Sequence, residues 1–194
     1  CGRIFLSEQR MYYSPRKRRF PGVFHITERL SLLPQLSVAE NLNIPYTHRR
    51  WIRWKQVYAN AAQVLQEFSL PFAPTTLPSS LSFAEQLKLE LLRAYTSRAA
   101  LVAIDPIWGQ LSQDELEQVQ QFLKQLQAKR LSFLLFSNPE LIPSFSDRVI
   151  LLRHGQAIRT LTPCEAASAP IADWLRDAPL PCPPRQLPTT GRCI

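Results

Sequence analysis

The chain has 194 residues, with 23 lysines and arginines against 15 aspartates and glutamates, giving a formal net charge of +8. Hydrophobic residues make up 45% and charged residues 20%, the balance of one globular domain with a sizeable core rather than of a disordered or fibrous chain. No apolar run approaches the ~18 residues that span a bilayer, and Cys1 to Arg10 hold no apolar signal core, so we expect neither a spanning helix nor a secretory leader. The positive balance favours phosphates, acidic protein surfaces or anionic lipid without choosing among them. The chain begins at Cys1 rather than Met, which reads as an excerpt or a processed product. Cys1, Cys164, Cys182 and Cys193 form no CxxC pair and no metal spacing with the histidines, which suits ordinary thiols in a reduced cytoplasmic setting.

In chain order, Arg3–Leu6, Met11–Tyr13 and Gly22–Ile26 read as short strands, with the basic run Arg16, Lys17, Arg18, Arg19 between the last two. Residues 37–98 read as helical. Trp51, Trp54, Tyr58, Ala61, Leu65 and Phe68 recur at steps of three and four, one apolar stripe on a helix. Ala84, Leu87, Leu91 and Ala94 make a second stripe, separated from the first by the proline-rich stretch Pro71 to Pro78. Leu101–Ile104 is a buried strand; Leu116, Val119, Leu123 and Leu126 mark a helix; Leu131–Phe136 and Val149–Leu152 are two further strands. Such alternation predicts a parallel, doubly covered sheet. After a short helix around Ile171–Leu175 the chain turns proline-rich, and we expect its last dozen residues to be a mobile tail.

Helix starts are signalled by S/T-x-x-E at Ser37/Glu40, Ser82/Glu85, Ser112/Glu115 and Thr162/Glu165, each a potential capping box. Asn138-Pro139 fits a fifth helix start. In open α/β sheets ligands sit beyond the carboxyl ends of strands. That singles out Asp105, which ends the Leu101–Ile104 strand, and Ser137 and Asn138, which end the Leu131–Phe136 strand.

Several segments, in this order and spacing, resemble ATP-binding cassettes of the sugar-importer branch. Gly2–Leu6 resembles the strand after the phosphate-binding helix, and Ser14-Pro15 with Gly22 the stretch before the glutamine loop. Leu30-Ser31-Leu32-Leu33-Pro34-Gln35-Leu36-Ser37-Val38-Ala39-Glu40-Asn41-Leu42 resembles the segment after that loop. Leu81-Ser82-Phe83-Ala84-Glu85-Gln86 resembles the LSGGQ signature, Ala100–Asp105 the Walker B strand, and Ser146–Gly155 the closing strand pair. The resemblance implies a partial P-loop NTPase-type α/β sheet with helices on both faces and an inserted helical subdomain. It divides the chain into residues 1–36 (N-terminal strands and glutamine-loop region), 37–98 (helical subdomain with the signature-like helix), 99–161 (Walker B-like and switch-like part) and 162–194 (proline-rich tail). It implies ATP and Mg²⁺ as cofactors, a membrane permease and a second cassette as partners, and a cytoplasmic place peripheral to the inner face of the membrane.

The nucleotide-associated positions implied by the resemblance are Glu28, Ser82, Asp105, Ser137 and Asn138, with Asp105 as the Mg²⁺ ligand. They depart from the family pattern. No GxxxxGK[ST] loop, which would wrap phosphates with backbone N–H groups and a lysine, occurs in these residues. Glu28 stands where the family has glutamine, and its charge repels phosphate. Pro106 takes the slot of the general-base glutamate in the gap-free register, whereas a shifted register makes Asp105 the base and puts Ile104 in the metal slot, so one acid is lost either way; Ser137 or Asn138 takes the slot of the switch histidine. Phe83, Ala84 and Glu85 add side chains and charge where the signature has glycines, and a capping box accounts for Ser82 and Glu85 without a nucleotide. We therefore expect no catalytic residue and no hydrolysis by this chain alone; ATP and Mg²⁺ would need a partner or an upstream segment.

Two basic clusters support another reading. Arg49, Arg50 and Arg53 are interleaved with Trp51 and Trp54, which suits phosphate contact with base stacking; with Arg16 to Arg19 they would make a regulatory module for nucleic acid or an acidic protein. Solvated arginines beside a core stripe are the plainer account. His25 and His154 read as structural or surface residues.

Overall fold

Alternating apolar residues build a three-stranded parallel sheet. Strands β3 (Val23–Ile26), β4 (Leu101–Ile104) and β5 (Ser132–Leu135) pair in parallel in the order β3-β4-β5. Ile26 lies opposite Ile104, and Ile104 opposite Leu135. Side chains alternate between faces. One face carries Ile26, Val102 and Ile104, all buried; the other carries Leu101, Ala103 and the exposed Leu134. Two shorter strands, β1 (Ile4–Leu6) and β2 (Gln9–Met11), form an antiparallel pair.

The structure is a computed structural model and describes residues 4–6, 8–12, 22–44, 52–138, 142–143 and 145–176. It separates into one unit of residues 1–141 and another of residues 142–194. The first unit holds β1 to β5 and the helices α1 (Val38–Asn43), α2 (Trp54–Glu67), α3 (Phe83–Thr96) and α4 (Gln113–Ala128). All four capping boxes read from the sequence are formed, by Ser37/Glu40 at α1, Ser82/Glu85 at α3, Ser112/Glu115 at α4 and Thr162/Glu165 at the later helix α5 (Pro163–Ser168). In each, the hydroxyl accepts the N3 backbone N–H and the glutamate reaches back to the cap N–H, satisfying two donors the helix leaves orphaned. The proline-rich segment satisfies two more: Val38 N donates to Thr76 O at 2.8 Å and Ala39 N to Pro74 O at 2.9 Å.

Helix ends are made differently. Ser69, Arg98 and Arg130, just beyond α2, α3 and α4, adopt positive φ of 51°, 57° and 67°. Each lets the next residue reach back to the helix: Leu70 N to Leu65 O, Ala99 N to Ala94 O and Leu131 N to Leu126 O, at 3.0, 3.1 and 3.2 Å. This is the left-handed termination usually given to glycine.

The apolar stripe of α2 is buried only in its later part. Ala61 and Leu65, with Phe68 just after the helix, are buried, and Tyr58 is half-buried with its hydroxyl 3.1 Å from Ser37 Oγ. Trp54 is 49% exposed, so the expected start of the stripe does not reach the core, because the helix begins at that residue. Trp51 lies outside the described residues. Helix α3 is buried well beyond its predicted stripe. Leu89, Glu90, Leu92 and Arg93 join Ala84, Leu87, Leu91 and Ala94 in the interior.

Buried charge on α3 fixes the segment after β3. Ser31 donates to Glu90 Oε1 from both its N–H and its hydroxyl, and Arg93 Nη1 donates to Glu90 Oε2 at 2.9 Å. The same Nη1 donates to Ser31 O and Oγ at 3.3 and 3.1 Å. Asn41 locks the following turn, donating to Leu33 O, Leu36 O and Ser37 O and accepting from Leu33 N. These charged and amide groups are tolerated in the interior because they are paired.

In the second unit, Val149–Arg153 (β6) does not extend the parallel sheet as its alternation with helices suggested. It pairs antiparallel with β7 (Gln156–Leu161). His154 and Gly155 both take positive φ, 50° and 77°, so the link is a two-residue turn of the tight hairpin kind, too short for any crossover. Leu151, Ala166 and Ile171 centre a small core with Ile158, Leu161 and Trp174 from β7 and helix α6 (Ile171–Arg176). The Arg159 guanidinium lies 4.1 Å from the centre of the Trp174 ring. The Asn138-Pro139 helix start and the tail from residue 177 lie outside the described residues in whole or part.

Candidate functional site

Parallel pairing brings four of the five expected positions to one edge of the sheet. Glu28 follows β3, Asp105 follows β4 and Ser137 with Asn138 follows β5, all at carboxyl ends. The backbone there is fixed: Asp105 N donates to Ile26 O at 2.9 Å, Phe136 N to Ile104 O at 2.8 Å, and Ile107 N to Asp105 O at 2.7 Å. The Trp108 indole N–H, in the short helical turn after β4, donates to Phe136 O at 2.9 Å and ties the two strand ends together.

The side chains present a reduced set of functions. Glu28 is exposed on the loop after β3. Ser137 Oγ donates to Asn138 O at 3.3 Å, and Asn138 is exposed. Ser82 is the N-cap of α3, where its hydroxyl accepts the Glu85 N–H at 3.2 Å and Glu85 Oε2 accepts the Ser82 N–H at 2.9 Å. Of the basic cluster, Arg53 is exposed and precedes α2 without capping it. Arg16, Lys17, Arg18, Arg19, Arg49 and Arg50 lie outside the described residues. Cys164 is exposed as a free thiol.

The residue that sequence reasoning passed over is His25. Its Nε2 lies 2.8 Å from Asp105 Oδ1, with the two side chains 53% and 29% exposed. In-register pairing of β3 and β4 sets His25 beside Ala103, and Asp105 is two residues further along, on the same side of the sheet. Only the register reveals this pair, since the two residues are 80 apart in sequence.

Mg²⁺ demands nearly octahedral oxygen coordination and is held by carboxylates together with phosphates. Here Asp105 gives one carboxylate oxygen to His25, and its neighbour Pro106 has no acid. Among the described residues no three His, Cys, Asp or Glu side chains gather where they could hold a metal. The residues present do not fit Mg²⁺ by themselves.

No family model matches the chain. It is 35% identical over 168 residues to ribose import ATP-binding protein RbsA 1 of Burkholderia cenocepacia, covering 82% of this chain and 32% of that protein. It is 28% identical over 165 residues to xylose import ATP-binding protein XylG of Moorella thermoacetica, with the same coverage. The chain thus spans about a third of the length of the curated relatives it matches. Among solved structures, cbiO1 from Clostridium perfringens, part of the cbiONQ ABC transporter complex, superposes with a TM-score of 0.70 at 14% identity, over 86% of this chain and 68% of that one. The ATP-binding cassette MJ0796 bound to ADP and Pi superposes with a TM-score of 0.62 at 18% identity, over 84% and 73%.

The fold is therefore that of an ABC ATPase cassette, a P-loop NTPase fold. In sequence the chain is similar to the ATP-binding proteins of ribose and xylose import, the likeness its own motifs led us to expect.

Proposed function

We propose that the chain is part of an ATP-binding subunit of a carbohydrate importer, docked to a membrane permease at the cytoplasmic face and paired with a second cassette. In this reading its own residues do not catalyse hydrolysis. The observation that carries the docking is a groove of about 380 Å³ between α1, α2 and the end of α3, with Leu42, Val57 and Val64 on its wall beside the polar Asn60, Gln63 and Glu67. Such a mixed groove suits a few apolar and polar side chains projecting from a partner helix. The lack of a base rests on Pro106 and on the neutral Ser137 and Asn138 at the strand ends.

The test uses the natural full-length protein co-expressed with the permease subunit of a carbohydrate importer from the same source. Co-purification from membranes is expected, and Val57→Asp is expected to abolish it while leaving the circular dichroism spectrum unchanged. Retention of the complex by Val57→Asp rejects the groove. ATP turnover that Asp105→Asn removes rejects the non-catalytic reading.

A further inference from the structure

We infer that His25 closes the Asp105 carboxylate to divalent cations, so that an imidazole, not a metal, is the resident partner of this strand edge. This rests on reading Asp105 as the metal-facing aspartate of the cassette family.

Both members of the pair sit on fixed backbone. The β3–β4 register sets His25 beside Ala103, and the Asp105 N–H is bound to Ile26 O at 2.9 Å. The 2.8 Å contact from Nε2 to Oδ1 thus forms without moving either strand. A cation seeking Asp105 must first separate the imidazole from Oδ1 or settle for the other oxygen alone. Mg²⁺ gives up its water reluctantly and needs several oxygens to compensate. Pro106 supplies none from its side chain, and no three His, Cys, Asp or Glu side chains gather among the described residues. A hydrogen bond to a charged group, set against a single carboxylate oxygen, favours the imidazole. Since His25 is 53% exposed, solvent ions reach the pair freely, and the outcome is decided by affinity rather than access.

The experiment follows the imidazole nitrogens of His25 by ¹⁵N–¹H correlation in the natural full-length protein at fixed neutral pH, the signals assigned by their loss in His25→Gln. Asp105→Asn is expected to shift them, and millimolar Mg²⁺ is expected to leave them in place. Mn²⁺ broadening of the Ile104 and Asp105 amides is expected to require about tenfold less Mn²⁺ in His25→Ala than in the native protein, the factor that a hydrogen bond to a charged group is worth. The inference is overturned if Mg²⁺ moves the His25 signals, if Asp105→Asn leaves them unmoved, or if His25→Ala takes up Mn²⁺ no more readily. Loss of permease binding in the preceding test would remove the importer reading but would leave these His25 signals as they are, so the two failures are separable.

Discussion

Replacing Glu90 by alanine should be among the most damaging single changes in the first unit. The side chain is 1% exposed and accepts from three donors: the Ser31 N–H, the Ser31 hydroxyl and Arg93 Nη1. Its removal leaves Arg93, 7% exposed, with a buried charge and no carboxylate. Arg93 would keep only its neutral acceptors, Ser31 O and Oγ, and its Nε is already buried without a partner. Breaking a buried ion pair from one side costs about 3–5 kcal/mol. That is a large share of the roughly 5–15 kcal/mol that holds a domain folded. Urea denaturation read by circular dichroism should move the midpoint accordingly, with the slope unchanged. Glu90→Gln keeps the shape and one acceptor oxygen and should cost less, about 1.5–3 kcal/mol. Removing both charges in Glu90→Leu/Arg93→Met should recover most of the loss, because neither is then stranded. A loss below about 1 kcal/mol for Glu90→Ala would refute the view that this pair anchors Ser31.

Other outcomes follow from the caps, the helix ends and the indole tie. The backbone N–H of Thr162, followed by its hydroxyl, holds the Glu165 carboxyl below the usual carboxylate range. Its stabilising effect is present above the ordinary carboxylate pKa and is lost as pH falls through the lowered folded value; Thr162→Ala removes only the hydroxyl and should raise the NMR titration of Glu165 part of the way, because the backbone N–H remains. Ser112→Ala should destabilise α4 by about 1 kcal/mol in thermal unfolding. Arg130→Gly should raise the melting temperature, since φ of 67° costs a side chain about 1–2 kcal/mol that glycine avoids. Trp108→Phe should lower stability by about 0.5–1.5 kcal/mol through loss of the bond to Phe136 O, with faster amide exchange at Phe136 as its local signature.

Helix starts were legible because a capping box is local: four residues carry the whole interaction, and Ser37, Ser82, Ser112 and Thr162 each announced one. Helix ends were not, since Ser69, Arg98 and Arg130 occupy the left-handed positions where a glycine would have been the signal. The strand at Leu101–Ile104 was placed to the residue, whereas for the strand read at Val149–Leu152 alternation with helices pointed to the parallel sheet and only the likeness to a closing strand pair pointed to the antiparallel pairing, because an apolar run does not state its partner. At the site, the positions at strand ends follow from topology, so Asp105, Ser137 and Asn138 could be named in advance. The His25–Asp105 contact depends on register between distant strands, and the Glu90–Arg93 pair on a helix buried beyond its apolar stripe. Neither property is written in local spacing.

The anchoring of Ser31 has a consequence for Glu28. Ile26 is pinned to β4 through its carbonyl, and Ser31 is clamped by Glu90 and Arg93. The stretch between these fixed points is a tether only Thr27 to Leu30 long, and a chain of that size reaches at most about 14 Å when fully drawn out. A carboxylate on so short a leash samples a small volume beside the strand edge and cannot retreat from an arriving anion. The Glu28 side chain is thereby kept near this edge by a clamp that sits on helix α3.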